Sequence, residues 1–195
     1  YFHNNAWIAR GLQDWAAFAE DDGAEADARA LAALLVPAIR ELWGPEPGAR
    51  WLRPTVEPGP PDGAPAADVT GTAFGSYTNY RYWPELLSSG VLPDDLARQV
   101  VTARLGLGGQ WLGMTRFDDH LDDWPLADYL AGLWRLGMRE DYRYCLWGHV
   151  LFHQAADHLT AYEQVTFPPG RPAADYCLPC QLVAPRAAAR LCLPG

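Results

Sequence analysis

Short and long connections alternate strictly between seven helical stretches of this chain, and that alternation restricts the fold more than any single residue does. Apolar residues spaced three and four apart define the stretches. In 24–43, Leu31, Leu34, Leu35, Ala38, Ile39 and Leu42 make an amphipathic stripe. The same spacing predicts helices at 5–19, 84–87, 93–105, 125–136, 141–156 and 179–191. Pro84, Pro93 and Pro125 suit a first helical turn, where no amide partner is lost, and Pro179 is a weaker start. Residues 20–25, 88–93 and 137–140 are short links, so each joins its two helices as an antiparallel hairpin. Residues 44–83, 106–124 and 158–178 are long links between hairpins. Strand signals are few and short. The expected class is therefore all-α, built of stacked αα-hairpins in a single domain over 1–195.

Stacked hairpins put all short turns at one end and all long links at the other. The residues ahead of the first, third, fifth and seventh helices then share a face. They are His3, Asn4, Asn5 and Trp7; Tyr77, Asn79, Tyr80, Arg81, Tyr82 and Trp83; 116–124; and Tyr162, Glu163, Gln164, Asp175 and Tyr176. Aromatic rings mixed with carboxylates, amides and arginines recur at each place, which marks a binding face on a rigid scaffold. Residues 53–68 differ, being rich in Pro, Gly and Ala, and read as an exposed excursion.

The densest charge lies in Asp118, Asp119, His120, Asp122 and Asp123, closed by Trp124 and Pro125. Carboxylates so close raise one another's proton affinity, so the run calls for a cation, a shared proton or several hydrogen-bond donors. Solvation alone would make it an ordinary acidic loop, but does not need the flanking Arg116, Phe117 and Trp124. Asp118, Asp119 and Asp122 spell D-D-x-x-D, which is similar to the magnesium motif of class I terpenoid synthases. That motif sits inside a continuous helix, whereas Pro125 signals a helix start. His149 and His153 share a helical face, with His158 beyond it, but 148–154 lacks the glutamate of a zinc-protease pattern, so a packing role is expected. Among Cys145, Cys177, Cys180 and Cys192 only Cys177 and Cys180 are paired by spacing, with no second pair to complete a zinc site. No metal or cofactor is expected.

At 195 residues and 49% hydrophobic content the chain can bury a real core. Its net charge of -9 argues against nucleic acid and anionic membrane as partners. No apolar run reaches the roughly 20 residues of a membrane span. The chain begins at Tyr1 without an initiator methionine, which reads as a processed chain or a piece of a longer one.

With its paired helices and its aromatic and acidic links, the chain resembles the (α/α)6 toroid of the six-hairpin glycosidase-like superfamily. The resemblance lies in the pattern over most of the chain, not in a diagnostic motif. Such toroids close with about six hairpins and three and a half are present, so it implies the carboxy-terminal part of a toroid, partnered by the rest. It also implies a carbohydrate substrate and glycoside hydrolysis, which needs a protonated carboxyl for the leaving oxygen and a carboxylate for water or the anomeric carbon. Glu163, in the weakly charged stretch 160–167, is the candidate acid; an ordinary loop carboxylate is the plain alternative. Asp122 or Asp123, at the start of the fifth helix, is the candidate base; either could instead be its N-cap. Trp7, Tyr80, Tyr82, Trp83, Trp124 and Tyr162 would stack on sugar rings. Asn4, Asn79, Arg81, Arg116, Asp118, Asp119, His120 and Gln164 would bond hydroxyls. A polysaccharide lyase using Tyr80, Asn79, Arg81 and His120 ranks second, because uronate substrates call for more positive charge than these links carry. A non-catalytic glycan-binding toroid is the third reading.

Overall fold

The computed structural model describes residues 1–42, 81–106, 108–117, 120–155, 160–166, 172–173 and 177–193. The excursion at 53–68 lies outside the described residues, as do Asn79, Tyr80, Asp118 and Asp119. Helix α1 (Phe2–Ala19) ends where Glu20 turns left-handed, at φ 53°, and returns its N–H to the Ala16 carbonyl. Asp21 then starts α2 (Asp22–Leu42) by accepting the Gly23 and Ala24 amides on Oδ1, at 2.9 and 3.1 Å. Those bonds satisfy donors that every helix start leaves unpaired. Asn4 and Trp7, expected ahead of the first helix, lie in its opening turns instead.

Helix α3 (Trp83–Ser89) opens with Pro84 in its first turn and stops at Gly90, whose φ of 76° needs no Cβ. Helix α4 (Asp94–Gly106) follows. Helices α5 (Leu126–Arg135) and α6 (Arg139–Phe152) are joined by the tight link expected there. A single turn, α7 (Leu178–Gln181), precedes α8 (Val183–Cys192). The backbone of α3 lies against α1 and α5 rather than against α4, because seven residues are too few to run along its sequence neighbour. Helix α4 is held by Leu96, Ala97, Val100 and Val101 in the core, with surface ion pairs of Asp95 to Arg40 of α2 at 2.8 Å and Asp94 to Arg135 of α5 at 2.7 Å at its start.

In the packing, α1 neighbours α3, α3 neighbours α5 and α5 neighbours α8, while α2 backs α1 and α6 backs α5. Each helix of the first series follows the chain start or a long link. Leu35 and Ile39, Leu86 and Leu87, Leu96 and Val101, and Leu126, Leu130 and Leu133 bring four helices into one buried cluster. Each such side chain contributes about 1.5–3 kcal/mol by leaving water. At the α3–α5 crossing a Cβ on Gly132 would stand 2.8 Å from that of Leu87, so glycine sets how closely the helices meet.

The long links correct the all-α expectation. The chain is mostly helical but also forms an antiparallel sheet of β1 (Gln110–Trp111), β2 (Met114–Phe117), β3 (His120–Asp122), β4 (Gln164–Thr166) and β5 (Pro172–Ala173), in that order. Strands of two to four residues are too short to show a period-two pattern, so pairing across distant links makes them visible only in the fold. Arg116 pairs with Leu121, and Asp122 with Gln164. Among the described residues no helix is long and apolar enough to cross a membrane.

Candidate active site

A cavity of about 700 Å³ opens between α1, α3, α5 and the α7–α8 segment. That volume suits a small organic ligand. Two tryptophans form part of its wall, and both are held by neighbours. Trp7 donates its indole N–H to the Glu85 carbonyl at 3.0 Å. Trp124 donates its backbone N–H to Asp122 Oδ1 at 3.0 Å, and the Arg81 guanidinium lies 4.4 Å from its ring centroid. Arg81 is itself anchored, one turn away, on the Glu85 carboxylate. An aromatic plane fixed in this way can receive the apolar face of a ring ligand without losing further side-chain freedom.

Asp14 and Asp128 are the carboxylates lining the cavity. Asp128 stands in the first turn of α5, one helical turn beyond Trp124. Burial pushes its carboxyl above the usual range, while Ser88, Arg186 and Arg81 draw it back. Glu85, behind Trp7, is also raised, chiefly by burial; Arg81 opposes that effect and Asp128 adds to it. His3 approaches Glu85 at 3.5 Å, and burial, with Arg81 adding, lowers its pKa to about 4. At neutral pH that contact joins an uncharged imidazole to a carboxyl and is not an ion pair. Tyr82 stacks on the same imidazole at 4.3 Å. Asp14 is held differently, both of its oxygens lying within 2.9 Å of Arg10 Nε.

A second polar group lies under the sheet. Asp123 accepts the Thr115 amide on Oδ1 at 3.4 Å and meets His149 Nδ1 at 2.9 Å and His153 Nε2 at 3.6 Å through Oδ2. All three of its partners and Asp123 itself are closed to solvent. The Gln154 amide reaches His149 Nε2 at 3.0 Å, which puts the His149 proton on Nδ1, facing the carboxylate. His153 Nδ1 must donate to the Tyr162 carbonyl at 2.8 Å, leaving Nε2 turned to Asp123 without a hydrogen bond among the described residues. Asp122 accepts from Trp124 on one oxygen and from the Gln164 amide on the other, at 3.2 Å. Asp122 and Asp123 are thus stabilised by donors gathered from β2, β4, α6 and the loop before α5. Among the described residues no group of three or more His, Cys, Asp and Glu is arranged to hold a metal ion.

No protein-family model matches the chain, and neither a curated protein nor a solved structure shows significant similarity to it.

Of the residues singled out in the sequence, Trp7 and Trp124 line the cavity and Arg81 supports its wall. Trp83 is buried in the core and Asn4 faces solvent. Arg116 lies over Trp111, at 5.7 Å from its ring centroid. His120 is on β3, edge-on to Phe117. Tyr162 and Gln164 belong to the Asp123 and Asp122 networks. Asp122 and Asp123 are 1% and 0% exposed and lie ahead of α5 without lining the cavity. Glu163 gives its backbone carbonyl to the Asp123 amide at 3.0 Å, so the expected acid and bases are chain neighbours across β3 and β4. Its carboxylate accepts the Cys177 thiol, and burial with that bond raises the thiol's pKa. All four cysteines are free. Sequence reading passed over Asp128, Asp14 and Arg10. For Asp128 a signal existed, since it stands four residues beyond Trp124, in the first turn of the helix that Pro125 announces.

Proposed function

We propose that this chain is a glycoside hydrolase acting on an oligo- or polysaccharide held in the cavity between α1, α3, α5 and α8. One observation carries the reading: Asp128, a carboxyl that burial biases toward its protonated form, opens on the same cavity as Trp7 and Trp124. A protonated carboxyl is the group that hands a proton to the departing glycosidic oxygen. The tryptophans supply stacking planes for sugar rings. Asp14, held by Arg10 one turn away on α1 and lining the same cavity, is the carboxylate that takes the proton of the attacking water or meets the anomeric carbon. Asp122 and Asp123 then act as supports: Asp122 sets the Trp124 backbone, and Asp123 ties the sheet to α6. The succession α1, α3, α5, α8 around one cavity, with α2 packed behind α1, supports a toroid-like arrangement.

A lyase is disfavoured by the groups available to take a proton. Tyr142, which lines the cavity, donates its hydroxyl to the Ala187 carbonyl at 3.2 Å, and burial raises its pKa. Among the described residues no histidine lines the cavity.

The test compares wild type with Asp128→Asn on a panel of glycans, following new reducing ends and unsaturated products separately. Reducing ends without unsaturation are expected from wild type, with turnover falling about 10²–10⁴-fold in the variant while binding persists. Unsaturated products would establish a lyase. Binding with no turnover in either protein would make it a glycan-binding module.

A further inference from the structure

The α8 side of the cavity carries charge that the hydrolase reading does not use. Arg186 and Arg190 lie one turn apart on α8, and both line the cavity. Like charges at that spacing repel and destabilise a helix slightly. Neither makes a salt bridge or a side-chain hydrogen bond among the described residues. The third arginine on the wall, Arg10, is committed to Asp14. Arg186 feels Asp128, but burial biases that carboxyl toward its uncharged form, so it is an incomplete counter-charge.

The rest of the chain makes this arrangement more telling. With 24 acidic against 15 basic residues, the overall field repels anions, so two guanidinium groups that face one cavity without a salt bridge among the described residues serve local recognition rather than general polyanion binding. A guanidinium presents a planar fork that matches a carboxylate with two parallel N–H bonds. We propose that the glycan bound here is acidic, and that Arg186 and Arg190 read the carboxylate of a uronic acid unit while Trp7 and Trp124 stack on neighbouring rings. This inference rests on the carbohydrate reading and narrows its substrate class.

The test is calorimetric titration of the full chain with matched pairs of oligosaccharides, each uronate-containing glycan beside its carboxyl-reduced neutral form at constant ionic strength. Wild type should bind the acidic member of at least one pair ten-fold or more tightly than its neutral form. Arg186→Gln with Arg190→Gln should remove that margin while leaving affinity for the neutral form unchanged. Arg186→Lys with Arg190→Lys should keep part of it, since charge remains but the fork is lost. Both pairs of changes are on exposed side chains, and circular dichroism checks that α8 persists. Equal or tighter binding of neutral forms throughout overturns the inference and leaves the hydrolase reading standing. Acidic preference that survives in the glutamine variant overturns the assignment to these arginines. Binding of no glycan of either kind overturns both readings.

Discussion

Asp123 Oδ2 lies 2.9 Å from His149 Nδ1, with both side chains closed to solvent. The contact joins the segment before α5 to the last turns of α6, two pieces of chain that sequence spacing alone does not bring together. His153 approaches the same oxygen from one turn further along the helix, at 3.6 Å. A carboxylate with fixed donors on both oxygens is stable at this depth, whereas the same group without them is not.

Removing one partner should therefore be worse than removing both. Asp123→Leu leaves the His149 and Thr115 donors buried and unpaired, and should destabilise the fold by about 3–5 kcal/mol in urea denaturation. His149→Leu should also destabilise it, and the double substitution should cost clearly less than the two single losses added together. Simple additivity in that cycle would show that the 2.9 Å contact contributes no coupling.

Asp128 predicts an opposition between stability and activity. Burial raises its pKa above the ordinary 3.8, so the folded chain holds that proton more tightly than the unfolded chain. The stability it contributes is fully present below 3.8 and is lost as pH rises through the raised folded value. Asp128→Asn cannot ionise. It should raise the thermal midpoint at neutral pH and show no such advantage below pH 3.8, while losing hydrolysis. A lower midpoint at neutral pH would mean that the carboxylate is ionised and paired in the native fold.

Two helical glycines should respond to alanine in opposite senses. A Cβ on Gly11 meets nothing within 4 Å, so Gly11→Ala should stabilise α1 by roughly 0.5–1 kcal/mol. A Cβ on Gly148 would stand 2.1 Å from the Leu112 carbonyl oxygen, where the loop between β1 and β2 lies on α6. Gly148→Ala should therefore destabilise by about 1–3 kcal/mol in spite of alanine's helix propensity. Equal stabilisation by both changes, read from thermal midpoints, would contradict the close approach of that loop.

Much of the helical framework was legible. Leu35 and Ile39, and Leu130 and Leu133, repeat at helical spacing because each pair faces the same core. The short link read at 20–25 falls where Glu20 ends α1 and Asp21 starts α2. Within the site, Trp7, Arg81 and Trp124 stood out because aromatic and polar groups recur together at the helix entries. The pairing of β3 with β4 was hidden, because His120–Asp122 and Gln164–Thr166 are three residues each and lie on links far apart in sequence. Asp128 was hidden for another reason, since a carboxylate in a first helical turn is ordinary until burial is known.

The sequence by itself determined which segments are helical and where acidic, aromatic and amide groups gather, because periodicity and capping act over a few residues. Only the tertiary structure decided what those groups do. It buried Asp122 at the end of β3 and Asp123 just beyond it, supplied them with donors from β4 and α6, and left Asp128 facing the cavity. The difference is physical: a carboxyl's proton affinity depends on desolvation and on partners brought from distant parts of the chain, and neither is encoded in local spacing.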